Sequence, residues 1–244
     1  MKIKKHLINI LSMTFIFTTH SCMISDTVRG NRNIISEEIN VSDYTKIYFS
    51  VPGDLVYRQT QDKAPYLKIT ADENILPLLE IKATGNSLEI KCRDNTNISP
   101  SRLTVHTGST RMSEAKIAGS GEIHLKDEVK SDDMGIYITG SGTVMSDALS
   151  CEKMQISISG SGEITLKGTG GEASCSISGS GDIDASAFPV QDMDCRISGS
   201  GDALVCVKNK LTARVTGSGN IQYTGNPSET DTRVTGSGDI RKKK

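Results

Sequence analysis

The stretch that decides the fold is ISGSGDI, residues 177–183, because its central Gly-Ser-Gly triplet recurs through the second half of the chain. The triplet occurs seven times, and successive first glycines are 21, 20, 19, 20, 18 and 19 residues apart. These first glycines are Gly119, Gly140, Gly160, Gly179, Gly199, Gly217 and Gly236. A period near 20 residues is typical of a repeat architecture, in which each unit is one layer of a stack.

Apolar residues keep fixed positions around every triplet. Two residues before the first glycine stand Ile117, Ile138, Ile158, Ile177, Ile197, Val215 and Val234. Two residues after the second glycine stand Ile123, Val144, Ile164, Ile183, Ala203, Ile221 and Ile240. The residues between these columns are mostly polar, and this alternation with β-branched residues is the pattern of a β-strand.

A unit of about 20 residues with short strands cannot bury its own apolar side, but a stack of such units can. An isoleucine in one coil then lies on that of the next coil, about 4.8 Å away. Glycines adopt turn dihedrals that other residues resist and let neighbouring backbones approach closely, so the triplet is predicted to form the corner. We predict that residues 108–244 form an all-β, single-stranded parallel β-helix of about six to seven coils, right-handed by the usual chirality of parallel crossovers.

The preceding region, residues 35–107, is less regular but similar in kind. TKIYFSVPGDLVY, residues 45–57, alternates like a strand, and its Gly53-Asp54-Leu55 matches the later Gly-Asp-Ile. DENILPLLEI, residues 72–81, is compatible with one helical turn interrupted by Pro77. We expect this region to begin the same sheet with longer loops, and a separate small β domain is the alternative.

The beginning of the chain has the features of a secretory signal peptide, predicted here for residues 1–21. Three lysines precede an apolar run from Leu7 to Phe17, and Ser21 stands before Cys22. A basic start, a short apolar run and a small residue before the cleavage site define such signals. The apolar run is too short to cross a bilayer comfortably.

Cys22 directly after Ser21 resembles the lipobox of bacterial lipoproteins, although Thr19 and His20 depart from its usual residues. The resemblance implies that Cys22 carries lipid and anchors the protein to a membrane. Ordinary cleavage nearby, which would leave Cys22 a plain thiol, is the alternative. Residues 22–34 are then expected to be a flexible tether.

Composition excludes some classes of function. Removal of residues 1–21 takes three of the 28 basic residues and none of the 29 acidic ones, which leaves 25 against 29 and a net charge of −4. That balance offers no general footprint for nucleic acid. The remaining histidines, His106 and His124, lack metal-ligand spacing, and tryptophan is absent. We therefore predict no metal, no cofactor and no nucleic-acid partner.

The repeated G-S-G-[DN]-I, preceded by I-[ST], resembles the GIN family of autotransporter adhesin head domains, which is common in envelope lipoproteins of Bacteroidetes. DYTKIYFSVPGDLVY, residues 43–57, and ITADENILPLLEIKATGNSLEI, residues 69–90, resemble the N-terminal half of that family. The resemblance covers nearly all of the chain after the signal peptide. It implies an all-β, β-helix-like fold on the cell envelope.

The residue after each triplet forms a column rich in acids: Glu122, Thr143, Glu163, Asp182, Asp202, Asn220 and Asp239. A calcium ladder through Glu163, Asp182, Asp202 and Asp239 is one interpretation, because Ca²⁺ prefers carboxylate and carbonyl oxygens. The column also accepts Thr, Asn and two lengths of carboxylate, which a strict coordination geometry would exclude. We therefore favour turn residues whose oxygens bond nearby amides.

The column three residues before each triplet is predicted to face outward, and its last three members are arginines. With a fourth arginine near the C-terminus they could form an anion-binding ridge for acidic glycan, lipopolysaccharide or a partner protein. The ridge would comprise Arg196, Arg214, Arg233 and Arg241. We favour the alternative, a solvated face whose arginines pair with nearby acids.

Cys175 and Cys195 are 20 residues apart and share one inward column. Parallel neighbouring strands keep Cβ atoms about 4.8 Å apart, beyond the roughly 3.5–4.5 Å of a disulfide. We therefore expect two reduced, stacked thiols, and a disulfide is the alternative. Cys92, Cys151 and Cys206 have no evident partners, and the absence of a C-x-x-C motif suggests neither zinc binding nor redox catalysis.

These observations favour a non-catalytic adhesion or interaction scaffold, an outer-membrane lipoprotein that binds a glycan or an envelope protein. A glycan-active lyase or hydrolase is the second hypothesis, and it needs a clustered acid/base pair and a groove. Short, near-uniform coils are expected to offer little groove. A purely structural assembly role fits the regularity as well as adhesion does, and both the periplasmic and the exposed face of the membrane stay open.

Overall fold

The computed structural model describes residues 27–61, 63–94 and 96–243. Residues 1–21 and Cys22, on which the signal-peptide and lipidation predictions fall, lie outside this part. The described strands are β1 Thr27–Arg29, β2 Ile34–Ile39, β3 Lys46–Ser50, β4 Asp54–Tyr57, β5 Tyr66–Asp72, β6 Leu79–Thr84, β7 Ser87–Cys92, β8 Asn97–Ser99, β9 Leu103–Gly108, β10 Glu114–Gly119, β11 Glu122–Gly140, β12 Thr143–Gly160, β13 Glu163–Gly179, β14 Asp182–Gly199, β15 Asp202–Gly217, β16 Asn220–Thr224, β17 Glu229–Gly236 and β18 Asp239–Lys242.

The repeats form a β-solenoid of about six turns with stacked parallel strands, so the predicted fold class is confirmed. Each of β11 to β15 is one coil that pairs in parallel with the next coil along the chain. Ile158 is in register with Ile177, and Ile177 with Ile197. The isoleucine column is therefore a ladder through the stack.

Every coil is bent rather than straight. The pairing of β11 with β12 covers residues 122–125, 128–131 and 133–140 of β11, with a register shift after the first of these segments. Shifts at the equivalent place interrupt the pairing of the following coils as well. The coil thus has three paired segments, and the Gly-Ser-Gly triplet connects the third to the next coil.

The inward and outward columns are those that the alternation predicts. Ile177 is 1% exposed, whereas Ser176 and Ser178 on either side of it are exposed. The same column is buried in the coils from Ile117 to Val215. The exception is the member in the last described coil. Val234 is 39% exposed because no further described coil covers it.

The triplet forms the corner for both of the predicted reasons. All seven first glycines have φ between +114° and +132°, a region that side chains rarely adopt. A Cβ on Gly160 would also lie 2.4 Å from the carbonyl oxygen of Gly140 in the coil before. The amide of Ser161 donates to that same oxygen at 2.9 Å, so the close approach is part of the ladder.

The N-terminal strands continue the stack at its other end. β3 pairs in parallel with β10 and β7, and β4 pairs in parallel with β11 and β9. Gly53 occupies the place of a second triplet glycine, because its carbonyl accepts from the amide of Glu122 at 2.9 Å. β2, β5 and β6 add antiparallel pairs. One sheet therefore joins the strands of residues 35–107 with the repeats, except β8, which pairs with β1 in a separate two-stranded sheet.

The prediction of a flexible tether is wrong for residues 27–34. β1 pairs with β8, and the buried carboxylate of Asp72 accepts the amides of Arg32 at 2.7 Å and Ser101 at 2.8 Å. Burial alone would raise the pKa of Asp72, but hydrogen bonds from Ser101, Arg32 and Arg102 outweigh it and lower the pKa to about 2. Asp72 therefore stays ionised and holds this segment against the sheet.

The helical turn expected within residues 72–81 is a 3₁₀ turn over Leu76–Leu78. Pro77 does not interrupt this turn but lies in its first positions. The N–H groups there have no partner within the turn, so the N–H that proline lacks costs no hydrogen bond. In the part of the chain described here, no helix has the length and apolar character needed to cross a membrane.

Candidate functional site

A groove runs along one corner of the solenoid, where the second and third segments of successive coils meet. Its volume is about 710 Å³, within the range of ligand-binding clefts. Its lining comes from β3, β10, β11, β12, β13, β14 and β15, so at a strand spacing of about 4.8 Å it is about 29 Å long. The expectation that uniform coils offer little groove is therefore wrong.

The floor of the groove is a column of apolar residues six positions before the first glycine of four successive triplets. Its members are Met134, Met154, Ala173 and Met193, paired in register from coil to coil. Methionine is unbranched and polarisable, and it adapts to ligands of varied shape. Ala173 has a much smaller side chain, so the middle of the floor has the most room.

Tyr137 borders one end of this floor. A Cβ on Gly135 would lie 2.6 Å from its ring, so the missing side chain of Gly135 leaves the space that the ring occupies. The phenol donates to Oε1 of Gln155 at 2.8 Å, which fixes the ring against the next coil. This end of the groove thus offers an aromatic edge beside a small polar group.

The residue columns on either side of the floor carry charges of both signs. One rim comprises Asp133, Lys153, Glu172, Asp192 and Lys210. On the other rim, Oδ2 of Asp194 accepts from Arg196 at 2.7 Å. Its Oδ1 is buried and has no hydrogen-bond partner among the described residues. A ligand with a donor group would satisfy this acceptor.

The four arginines predicted as a ridge lie on two different sides of the coil. Arg196, Arg214 and Arg233 are in register on successive coils, whereas Arg241 pairs with Gln222 on another side of the coil. Three of the four have carboxylate partners: Arg196 with Asp194, Arg214 with Asp231 and Arg241 with Asp239. The charges of these three arginines are thus shared with acids of the same face, and an anion-binding role of the ridge stays a prediction.

The acidic column proposed as a calcium ladder is also in register, through Glu163, Asp182, Asp202 and Asp239. Oδ1 of Asp182 accepts the amide of Asp202 at 3.0 Å, and Oδ1 of Asp202 accepts the amide of Asn220 at 2.9 Å. These oxygens thus bond backbone amides of the following coil. In the described ranges, no three His, Cys, Asp or Glu side chains are arranged to hold a metal ion.

One charged cluster lies outside the groove, at the first bend of β11 and β12. Asp147 accepts from Lys126 at 2.9 Å and contacts Nε2 of His124 at 2.8 Å. These bonds hold the pKa of the Asp147 carboxyl well below its usual range. Asp147 also accepts the amide of Asp127, whose φ is +63°, so the cluster fixes a strained bend.

The sheet and the groove together define a parallel β-solenoid with a long lateral cleft. The chain belongs to the family described as "Putative auto-transporter adhesin, head GIN domain", whose sequence profile matches residues 43–227. The resemblance identified from the triplets is therefore confirmed. A search of curated proteins finds no match to the chain.

Solved structures share this fold over most of the chain. The chain is similar to a "putative adhesin" from Bacteroides fragilis, with a TM-score of 0.85 and 24% identity over 88% of this chain and 100% of that one. It is also similar to a "Putative lipid binding protein" from Parabacteroides distasonis, with a TM-score of 0.77 and 30% identity over 90% of this chain and 100% of that one. A "putative adhesin" from Parabacteroides merdae has a TM-score of 0.73 and 27% identity, again over 90% and 100%.

Proposed function

We propose that this protein is a non-catalytic binding scaffold anchored to the cell envelope, and that the lateral groove is its ligand surface. The observation that carries the proposal is the groove itself, which crosses seven strands with an apolar floor and charged rims. The family of adhesin head domains supports a role in attachment. A rigid stack presents such a surface without the ordering cost that a mobile loop would add on binding.

The shape of the groove favours an elongated ligand. The same corner repeats in every coil, so similar contacts recur about every 4.8 Å along its length. Rims with both signs of charge and hydrogen-bonding groups such as Ser174 and Gln155 suit a glycan chain or an extended segment of an envelope protein. The recurring contacts would hold such a chain at several points at once.

A lipid is the second candidate ligand, and the methionine floor favours it. One relative at 30% identity is described as a putative lipid-binding protein. A bilayer core of about 30 Å contains two leaflets, so one acyl chain needs roughly half of the groove's length of about 29 Å. The charged rims would then contact the headgroup.

A tryptophan at Ser174 is expected to block the groove while the fold is kept. Ser174 is exposed and lines the groove, whereas Ser176 is exposed on the same strand but lies outside it. Ser174→Trp should weaken binding at least about tenfold, which is about 1.4 kcal/mol, because the indole fills the cleft. Ser176→Trp is the matched control and should bind like the wild type.

Binding is measured with a glycan array and with a fluorescent long-chain fatty acid, so that the two ligand classes are separated. Circular dichroism verifies that both variants are folded. Equal binding by Ser174→Trp and Ser176→Trp would place the ligand outside the groove. Cleavage of a bound glycan, detected as new reducing or unsaturated ends, would contradict the non-catalytic part of the proposal and favour the lyase or hydrolase alternative.

The proposed anchor is lipid on Cys22. Metabolic labelling with a palmitate analogue is expected to mark the wild-type protein, and Cys22→Ser should lose the label because the acceptor thiol is gone. Cys22→Ser should also leave the membrane fraction. Equal labelling of the two forms would contradict lipid attachment at this residue.

A further inference from the structure

Two cysteines of adjacent coils meet in the middle of the stack. Cys175 of β13 and Cys195 of β14 are register partners, and both are free thiols in the structure. They are 3% and 0% exposed, and their sulfur atoms lie 2.6 Å apart. Cys151 is also a buried free thiol, but its register partners in β11 and β13 are Ser131 and Gly170.

The spacing of parallel strands would keep the Cβ atoms of two neighbouring cysteines too far apart for a disulfide, but the positions of these two sulfur atoms overcome that objection. The two side chains of the pair incline toward each other, so their sulfurs are much closer than the strands that carry them. Non-bonded carbon atoms rest about 3.5–4.0 Å apart, and sulfur is larger than carbon. A separation of 2.6 Å is therefore too short for comfortable contact of two thiols and close to bonding distance.

We propose that Cys175 and Cys195 are a cross-coil disulfide site that is oxidised in the mature protein. The inference rests on the proposed envelope location, since disulfides persist in oxidising compartments outside the cytoplasm. The bond would tie β13 to β14 through the core and close a loop of about 20 residues, which constrains the unfolded chain. It would staple the stack at the level of the groove.

The oxidant required is an exchangeable disulfide, either on an envelope protein or on a small molecule. One cysteine thiolate attacks a sulfur of the oxidant's disulfide bond. That bond breaks, one half of the oxidant leaves as a thiol, and the other half stays bonded to the cysteine as a mixed disulfide. The second cysteine then displaces the remaining oxidant thiol, so the pair loses two protons and two electrons while the oxidant gains them. Contact with Cys175 and burial both raise the pKa of Cys195, which disfavours the thiolate that the exchange needs once the two coils have closed.

The test is non-reducing peptide mapping of the full chain after free thiols are alkylated with N-ethylmaleimide in denaturant. Protein purified from its exporting cell should give one linked peptide pair containing Cys175 and Cys195, lighter by two hydrogen atoms than the reduced peptides. Cys92, Cys151 and Cys206 should be alkylated. A reductant should lower the melting temperature of the wild type and of Cys151→Ala, but not that of Cys175→Ala/Cys195→Ala.

A second arm separates this inference from the proposed location. The full chain is refolded with oxidised and reduced glutathione, which supplies the oxidant whatever the compartment. A linked pair there supports the assignment, and two alkylated thiols at Cys175 and Cys195 there would overturn it. A third outcome is a linked pair after refolding but two free thiols in the cell-purified protein. This outcome would contradict the envelope location and would still support Cys175 and Cys195 as disulfide partners.

Discussion

Ile177→Asp is expected to unfold the solenoid, whereas Ser178→Asp at the next residue should leave it folded. Ile177 is 1% exposed and lies between Ile158 and Ile197 in the ladder, so the new carboxylate would have only apolar neighbours. Burial of an unpartnered charge costs several kcal/mol, a large part of the roughly 5–15 kcal/mol that stabilises a typical domain. Ser178 is exposed, and the cost there should be about 0.5 kcal/mol or less.

Urea denaturation followed by circular dichroism measures both variants against the wild type. The contrast between two adjacent positions removes the general effect of an added negative charge in β13. A folded Ile177→Asp together with an unfolded Ser178→Asp would mean that the inward and outward columns are reversed. The assignment of the groove floor, which lies four residues earlier on the same inward side, would then fail as well.

The second large effect is expected at the corner, where Gly160→Ala should be more damaging than Gly119→Ala. Both glycines have positive φ, +128° and +114°, so alanine is strained at either place by about 1–3 kcal/mol. Only at Gly160 would the new methyl also meet a neighbouring coil, 2.4 Å from the carbonyl oxygen of Gly140. At Gly119 no atom of a described residue lies within 4 Å of that position, apart from the glycine itself and its two chain neighbours.

The difference between the two free energies of unfolding isolates the close approach from the dihedral strain. Overpacking of a tight contact costs typically about 1–3 kcal/mol, so Gly160→Ala should lose that much more stability than Gly119→Ala. Equal losses would show that the triplet is required for its dihedrals alone. A smaller loss at Gly160 would contradict the stacked contact between successive corners.

The groove could not be derived from the sequence in the same way. Met134, Met154, Ala173 and Met193 stand at a constant distance from the triplet, so the column is visible in the alignment of repeats. The pattern marks them as inward residues, and they are indeed at most 7% exposed. That a cleft lies above them depends on the bend between the second and third segments of each coil, which no local residue pattern marks.

Two other features show the same limit. The tether prediction for residues 27–34 failed because Asp72, about 40 residues away, supplies the acceptor that holds this polar segment. The distance between the sulfurs of Cys175 and Cys195 depends on how both side chains rotate in the core, whereas strand spacing alone would keep them apart. Both outcomes depend on contacts between residues distant in sequence.

The sequence by itself determined the period of the coil, the corner and the inward columns. Nearly the same residues repeat seven times, so the pattern indicates what each coil requires locally. These requirements are a positive φ, a close approach of two backbones and a buried apolar side chain. The tertiary structure alone decided where the corner opens into a groove, how the N-terminal segment is held and which cysteine sulfurs meet. These depend on the angle between segments and on side-chain directions, which arise only when the coils pack on one another.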